Sequence, residues 1–408
     1  MERAPSRRQV TAGLAASAAG LSACTKGETG LRVAVIGGGI VGASIAYHLA
    51  KAGAAVELLE RHELATRSSR GTFAWLNASW AKQPRHYHWL NQDGIRGWKA
   101  LGPELGIPIR WGGSIERFED RDRQTRLAEQ IAEQAEWGEP ARMVGRQELA
   151  TLEPGVDFQG AERAALSGND GALDPVFATH RLAQAAERMG CRIRTGCEVS
   201  SVRELAEGVR LTTSRGAVDV NRYVIATGAD PDAIQKLAGV DVPQRSTPRV
   251  IVVTRPMPPL LNTILVAPGV HIHQRRDGRV VLGEQDGAPD TEAHAERLQG
   301  RPNRFPDSDH ARMHAGRILS VAESFVPGLA GSEVEDVFIG WRPLPVDGHP
   351  VLGSTPSHPA SYIALAHSGV TLAPALGAGV ADEILQGVDN PSFVDYRPTR
   401  PFETIRRY

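Results

Sequence analysis

Cysteine is scarce in this sequence. Only three cysteines occur in 408 residues, at positions 24, 191 and 197. Cys191 and Cys197 lie on either side of a predicted strand at 192–195, and an extended chain rising about 3.3 Å per residue holds them too far apart for a disulfide. Their spacing also differs from that of metal-binding cysteine pairs. We therefore interpret both as small core residues and predict no metal site.

The sequence also lacks a strong net charge and a long apolar run. It has 46 basic and 47 acidic side chains, a formal net charge of −1. Loss of the first 23 residues, which hold Glu2, Arg3, Arg7 and Arg8, would bring the charge to about −3. This balance argues against nucleic acid as a partner. No apolar run reaches the length of about 18 residues that a spanning helix needs.

The N-terminus has two features of an export signal. Residues 6–10 read SRRQV, a twin-arginine pattern before an Ala/Gly-rich stretch, and residues 21–24 read LSAC, the form of a lipobox. The segment 1–24 resembles a bacterial twin-arginine lipoprotein signal. This resemblance implies an exported, periplasmic or extracytoplasmic protein, anchored to a membrane by lipid on Cys24. The alternative is a disordered basic N-terminus with a chance cysteine.

The segment 32–61 is the most informative part of the chain. Its sequence, RVAVIGGGIVGASIAYHLAKAGAAVELLER, begins with a short apolar run at 32–36 that suits a buried parallel strand. Apolar residues at helical spacing follow at 40–51, and a second apolar run at 55–59 ends in an acidic residue. The segment therefore predicts a strand, a glycine turn, a helix and a second strand.

Three glycines and the acidic residue indicate what this unit binds. Gly37 permits a tight turn, Gly39 lets a pyrophosphate approach the backbone, and Gly42 lets helix and strand pack closely. The helix N-terminus offers N–H groups to the phosphates. Glu60 can accept hydrogen bonds from a ribose 2′-hydroxyl and would repel a 2′-phosphate. We therefore predict a dinucleotide site.

Several further blocks follow the glycine turn and Glu60. They are Ser68-Ser69-Arg70, Gly171 with Asp174-Pro175, Ala226-Thr227-Gly228, the hairpin at Asp277-Gly278, Trp341-Arg342-Pro343 and His367-Ser368-Gly369. Taken in this order, the blocks resemble the D-amino-acid oxidase family of FAD enzymes, which includes glycine oxidase, sarcosine oxidase and D-amino-acid dehydrogenase. The resemblance covers most of residues 31–390.

The resemblance implies an α/β fold with two domains. One would be a discontinuous, Rossmann-like FAD-binding domain of the p-hydroxybenzoate-hydroxylase type, formed by residues 31–95, 150–240 and 335–395. The other would be a sheet-rich α+β substrate domain formed by residues 96–149 and 241–334.

The resemblance also implies non-covalent FAD. A helix beginning near residue 372 would direct its positive end at the flavin pyrimidine ring. The residues expected to bind the cofactor are Gly37, Gly39, Gly42, Glu60, Arg61, Ser68, Ser69, Arg70, Val199, Thr227, Gly228, His367, Ser368, Gly369, Val370 and Thr371.

The implied reaction removes a hydride equivalent from a carbon that bears nitrogen, in a small amine or amino acid such as a D-amino acid, glycine or an N-methyl amino acid. Arg342 matches the arginine that pairs with the substrate carboxylate in glycine oxidase, where a guanidinium can donate two parallel hydrogen bonds. The alternative is a structural salt bridge to Asp347 or to a surface glutamate. His271 and His273 share one face of a predicted strand, either over the flavin, where a histidine can act as a base near neutral pH, or towards solvent.

Two other functions and two electron acceptors stay open. The fold also supports oxidation of a 2-hydroxy acid, and a non-catalytic flavin-binding lipoprotein is an alternative of another class. Sarcosine-oxidase-like members carry an oxygen-activating lysine where this chain has Val281. That difference disfavours oxygen as the acceptor, and a membrane anchor favours a quinone.

Overall fold

The computed structural model of the protein describes residues 30–80, 82–245, 247–284 and 300–404. The predicted export signal and lipobox at 1–24 lie outside these ranges. Within them, no helix combines the length and the apolar character needed to cross a bilayer.

A six-stranded sheet carries the glycine turn. Across the sheet its strands are Val351–Thr355, His358–Leu365, Arg222–Ile225, Arg32–Ile36, Ala55–Leu59 and Arg192–Arg194. Neighbouring strands are parallel except for the first pair. Val33, Ala34 and Val35 are fully buried, as expected for a parallel strand covered on both faces.

Four helices pack together on this sheet. They are the first helix, Ile40–Lys51, then Arg85–Leu105, Pro175–Arg188 and the C-terminal helix, Gly369–Gln386. The first helix contacts both Pro175–Arg188 and the C-terminal helix, and the latter also contacts Arg85–Leu105. Trp98 is fully buried and its Nε1 donates to the carbonyl of Val370 at 2.7 Å. The start of the C-terminal helix is therefore held by the helix packed against it.

An eight-stranded, mostly antiparallel sheet forms the second layer. Across this sheet the strands are Val334–Trp341, Pro248–Pro256, Arg279–Glu284, Val270–Gln274, Ile264–Ala267, Ser114–Glu116, Arg163–Ser167 and Ala141–Gly145. The pair Ile264–Ala267 and Ser114–Glu116 is parallel. The helix Ser308–Phe325 covers the sheet and buries Ile318, Ala322 and Phe325 in a separate apolar core.

Smaller elements complete the fold. The smaller sheets contain Val199–Glu204, Val209–Thr213 and Gly216–Val220; Trp75–Leu76, Gly171–Leu173 and Ile109–Trp111; and Gln244–Arg245 with Leu344–Pro345. The remaining helices among the described residues are Arg121–Glu136, Arg146–Leu152 and Pro231–Ala238, with 3₁₀ turns at Pro327–Leu329 and Pro391–Tyr396.

The two large sheets meet where the loop 61–74 crosses the strand Val334–Trp341. A Cβ placed on Gly340 would lie 1.6 Å from the carbonyl oxygen of Gly71, so the two backbones touch at a point where neither tolerates a side chain. On one side of this crossing Ser68 Oγ donates to the carbonyl of Trp341 at 2.7 Å. On the other side Arg70 pairs with Asp336 at 3.0 Å. The loop is thereby fixed to the edge strand of the second sheet.

The α/β fold expected from the sequence is confirmed, and the elements of segment 32–61 have the predicted bounds. The C-terminal helix begins at Gly369, three residues before the predicted start. Two strands placed in the FAD-binding segments, Arg163–Ser167 and Val334–Trp341, pair into the eight-stranded sheet instead. Helix Arg85–Leu105 is continuous across the expected boundary at 95 because its buried face follows the C-terminal helix.

Candidate active site

A cavity of about 1850 Å³ is lined by residues of both large sheets. This volume exceeds the range of about 300–1,000 Å³ that is typical of a single drug-sized ligand. The predicted site residues on its wall are Gly37, Gly39, Glu60, Arg61, Ser68, Ser69, Val199, Thr227, Gly228, His271, Arg342, His367, Ser368, Gly369, Val370 and Thr371. The cavity has room for a dinucleotide and a second, smaller ligand.

The glycine turn forms one end of the cavity. Gly37 has φ of +116°, and a Cβ there would lie 2.3 Å from the carbonyl oxygen of Ala226. A Cβ on Gly42 would lie 2.0 Å from the carbonyl oxygen of Gly37. Gly42 does not line the cavity. Its role is to let the helix pack closely against the turn. The turn exposes backbone to the cavity where a side chain would block a phosphate.

The residues around this turn fit a dinucleotide. The N-terminus of the first helix has no acidic residue in its first turn, so its positive end is not offset by the helix's own carboxylates. Glu60 stands at the end of its strand, and its carboxylate accepts from Gly38 N at 2.6 Å and from His62 N at 2.8 Å. Thr227 Oγ1 is buried and has no hydrogen-bond partner within the described ranges. A buried hydroxyl of this kind suits a bound polar group. We call Gly37, Gly39, Glu60 and Thr227, with the start of the first helix, the cradle.

The loop after Glu60 divides its polar residues between the cavity and the fold. Ser69 Oγ accepts from Ile40 N at 2.9 Å and so caps the first helix from a distance in sequence. Arg61 lines the cavity and pairs with Asp230 at 2.8 Å. Arg70 does not line it, because its guanidinium pairs with Asp336 and stacks 4.0 Å from the ring centroid of Phe338.

The C-terminal helix forms the middle of the wall. Its first turn contains no acidic residue, and its N-cap Ser368 makes no capping hydrogen bond. The hydroxyl of Thr371 accepts from Asn77 N at 3.0 Å and also contacts the carbonyl of Trp75 at 3.3 Å. The Thr371 side chain therefore fastens the segment at 75–77 to the helix. What this turn offers a ligand is mainly backbone N–H and the positive end of the helix.

The opposite end of the cavity, which we call the chamber, is lined by Trp75, Trp80, Glu116, Arg123, Arg249, His271 and Arg342. The ring centroids of Trp75 and Trp80 are 5.6 Å apart, and those of Trp75 and His271 are 6.1 Å apart. The salt bridge between Arg342 and Asp347 that the sequence left open is replaced by a pair between Asp347 and Arg400 at 2.8 Å. Arg342 instead contributes its positive charge near His271.

The two histidines occupy different depths. His271 faces the cavity, where burial and then the charges of Arg249, Arg342 and Arg123 hold its pKa well below the usual value. His273 is 1% exposed, is not part of the cavity wall, and bonds through Nε2 to the carbonyl of Phe73 at 2.7 Å. Burial lowers the pKa of His273 to about 3. Both rings are therefore neutral at pH 7, and neither is turned to bulk solvent.

Sequence reasoning missed several chamber residues. Glu116 ends the three-residue strand Ser114–Glu116 and is 4% exposed. Trp80 donates its indole N–H to this carboxylate. Arg123 and Arg249 come from a charged helix and from a strand that gave no functional signal. No motif marks these residues, because only the pairing of strands distant in sequence brings them to one cavity.

Two observations bear on metal ions and covalent chemistry. Within the described ranges no group of three or more His, Cys, Asp or Glu residues could hold a metal ion. Cys197 is a free, buried thiol that lines the cavity, and its backbone N–H donates to the carbonyl of Glu60 at 2.8 Å. This contact puts Cys197 at the cradle, away from the chamber.

Comparison with known proteins agrees with this geometry. The chain is 29% identical to glycine oxidase from Bacillus licheniformis over 386 residues, which cover 91% of this chain and 98% of that protein. It is 26% identical to an opine oxidase subunit from Agrobacterium tumefaciens, over 86% of this chain and 93% of the relative. The crystal structure of glycine oxidase from Geobacillus kaustophilus superposes with a TM-score of 0.80 at 24% identity, over 91% of this chain and all of that one. This last likeness shows the fold.

The family model for FAD dependent oxidoreductases of the DAO type matches residues 32–383, which include the cradle, the C-terminal helix up to residue 383 and every residue of the chamber. The cradle, with its side-chain-free turn and the buried Thr227 hydroxyl, is suited to the cofactor of that family. The protein therefore belongs to the DAO family of FAD-dependent oxidoreductases.

Proposed function

We propose that this protein oxidises a C–N bond in a small, carboxylate-bearing amine or amino acid. The observation that carries the proposal is the continuous cavity that joins the cradle to a chamber with converging arginines. Relatives named as a glycine oxidase, an opine oxidase subunit and a 4-methylaminobutanoate oxidase support the same class of substrate.

FAD, when bound, supplies the acceptor for the hydride equivalent that leaves the substrate carbon. The cradle would hold its pyrophosphate and ribose, through the backbone at Gly37–Gly39, the Glu60 carboxylate and the Thr227 hydroxyl. The start of the C-terminal helix would present backbone N–H groups and a positive dipole end to the flavin ring. We expect the attachment to be non-covalent, because the free thiol on the wall, Cys197, lies at the cradle.

The chamber residues would bind and orient the substrate. Arg342 would pair with the carboxylate through charge-assisted hydrogen bonds, and the charge of Arg249 would add to the attraction. His271 is neutral and so adds no positive charge between them. Trp75 and Trp80 would shield the reacting carbon from water and restrict its position, which is the main contribution that such a site makes to the rate.

The decisive experiment is anaerobic reduction. Protein lacking residues 1–24 is purified with its flavin and mixed with D-amino acids, glycine, N-methyl amino acids and 2-hydroxy acids. Bleaching of the flavin band by an amine class supports the proposal. Bleaching by 2-hydroxy acids alone would replace it with the hydroxy-acid alternative, and a flavin band that no compound bleaches would favour a non-catalytic flavoprotein.

We further propose that the enzyme is exported, carries lipid on Cys24 and delivers electrons to a membrane quinone. The twin-arginine pattern and the lipobox support the first two points, and Val281 in place of a lysine supports the third. Cell fractionation of the wild type and of Cys24→Ala tests the anchor, since only the wild type should remain with the membrane. Fast reduction of a quinone analogue with slow peroxide formation tests the acceptor, and the reverse order of rates would contradict it.

A further inference from the structure

Glu116 is a buried carboxylate on the wall of the chamber. It ends the strand Ser114–Glu116, is 4% exposed, and faces the cavity beside Trp80 and Arg123. The indole N–H of Trp80 donates to its Oε2. Trp80 stacks edge-on with Trp75, whose carbonyl contacts Thr371 in the first turn of the C-terminal helix. Glu116 is therefore linked to that turn through two tryptophans.

Two other buried carboxylates show how the fold normally satisfies such a group. Asp170 accepts from Ala78 N, Ser114 Oγ and Trp75 Nε1, at 3.0, 2.7 and 2.9 Å. Glu153 accepts from the backbone of Asn262 and from the backbone and hydroxyl of Thr263. Within the described ranges, Glu116 has the one bond from Trp80 and no ion pair. A carboxylate has about four acceptor positions, so the described residues leave most of this capacity unused.

The burial of the Glu116 carboxylate with few partners disfavours its charged form and so raises its pKa. Burial raises the pKa of Glu116 to about 7, with a smaller contribution from Asp170, while Trp80, Lys82 and Arg123 oppose the shift. A buried carboxyl with so few partners weakens a fold unless a ligand completes its interactions. Glutamate at this position therefore requires a reason beyond the packing of the strand.

The chemistry of the proposed substrate supplies that reason. The arginines of the chamber attract a carboxylate but repel an ammonium group, which needs a hydrogen-bond acceptor of its own. Glu60, Glu198 and Asp230 line the cavity at the cradle, where Glu60 and Cys197 are hydrogen-bonded and Arg61 pairs with Asp230. Among the described residues of the wall, the acidic side chain of the chamber is Glu116.

We propose that Glu116 binds the nitrogen of the substrate and takes the proton that the ammonium form must lose before it is oxidised. In this step the N–H bond breaks, an O–H bond forms on Glu116, and the electron pair stays on nitrogen. The products are a neutral amine and a neutral carboxylic acid, and no oxidation or reduction takes place. Transfer of the proton from Glu116 to water then restores the carboxylate. The inference rests on the proposed function and assigns the residue that selects an amine.

The test compares nitrogen ligands with their oxygen isosteres. Flavin-loaded wild type, Glu116→Gln and Glu116→Asp have their flavin reduced beforehand with dithionite, so that no amine is oxidised during the measurement. They are then titrated anaerobically with N-methylglycine and methoxyacetate, and with iminodiacetate and diglycolate, with binding read by calorimetry. Glutamine keeps an acceptor for Trp80 but cannot take a proton. The matched control is Glu119→Gln, three residues along the chain, whose carboxylate is 66% exposed.

Glu116→Gln should weaken binding of the nitrogen ligand by about 10- to 100-fold, the range for one hydrogen bond to a charged group. Binding of the oxygen isostere should change less than threefold. Glu116→Asp should recover part of the loss, and Glu119→Gln should match the wild type. An equal loss for both ligands of a pair, or no loss for either, overturns the inference. A wild type that binds the oxygen compounds alone overturns the proposed function instead.

A second variant tests the proton transfer without touching Glu116. Trp80→Phe removes the indole N–H that lowers the pKa of Glu116. The pH at which kcat/KM for an amine reaches half its plateau should therefore move upward in Trp80→Phe, while flavin content stays unchanged. An unmoved midpoint contradicts the assignment of Glu116 as proton acceptor.

Discussion

The cradle and the chamber lie in one cavity, but the cradle is made largely of backbone and the chamber of side chains. In the cradle, the close contacts of Gly37 and Gly42 leave no space for a Cβ. In the chamber, aromatic and charged groups from four distant parts of the chain surround His271. A cofactor that many enzymes share can be held by a fixed backbone shape. A substrate that differs between relatives requires exchangeable side chains.

The strongest way to break the cradle is to add one methyl group. Gly37→Ala places a Cβ 2.3 Å from the Ala226 carbonyl, in a backbone with φ of +116°. Strain and displacement of the turn should cost about 2–4 kcal/mol of unfolding free energy, and bound flavin should be lost. The ratio of visible to ultraviolet absorbance measures the flavin. The control Gly316→Ala meets no atom within 4 Å and should keep full flavin content.

A mutation in the chamber should instead weaken substrate binding and leave the bound flavin in place. Arg342→Ala should raise KM for a carboxylate-bearing substrate by about 100-fold or more, because a charge-assisted pair is lost, while bound FAD stays unchanged. Steady-state kinetics and the flavin spectrum measure the two quantities. Arg96→Ala removes an equivalent charge from a side chain that is 67% exposed and should leave both unchanged. An unaltered KM in Arg342→Ala would reject the assignment of this arginine.

These two predictions match what could and could not be anticipated from the sequence. The cradle is local: the turn, helix and strand follow each other in segment 32–61, so glycine spacing and apolar periodicity predict them directly. Arg342 could be named only through the family resemblance. Glu116 could not be named, because its position depends on the parallel pairing of Ser114–Glu116 with Ile264–Ala267, about 150 residues later in the chain. The placement of His273 behind Phe73 also depends on tertiary packing.

The charge of the Glu116 carboxylate in the chamber should also lower the stability of the folded protein. The pKa of Glu116 is about 7 in the fold and 4.5 in a free chain, so ionisation favours the unfolded state as pH rises through this interval. Glu116→Gln should therefore raise the unfolding free energy at pH 8 by up to about 3 kcal/mol, with little effect at pH 4. Denaturant unfolding at both pH values measures this, with Glu119→Gln as control. A loss of stability at pH 8 would show that the fold needs the carboxylate.

The smallest expected effect concerns the residue just behind the chamber. His273 keeps a pKa of about 3 when folded, against 6.5 in a free chain, so the unfolded state binds a proton first as pH falls below 6.5. By pH 5 this residue should lower the unfolding free energy of the wild type by about 2 kcal/mol. The variant His273→Gln keeps a donor for the Phe73 carbonyl. Its unfolding free energy should fall less than that of the wild type between pH 7 and 5. The control His180→Gln, at an exposed position, should behave like the wild type. If the unfolding free energy of His273→Gln falls as much on acidification as that of the wild type, His273 is not the cause of the loss.

The contact between Gly71 and Gly340 has a consequence for motion. The loop that borders the cradle touches the edge strand of the second sheet there and is held on either side by Ser68 and by Arg70. A cofactor that orders this loop should also slow local opening of the edge strand. Amide exchange at residues 334–341 should therefore be slower with flavin than without it, which would make cofactor loading a step that assembles the substrate site.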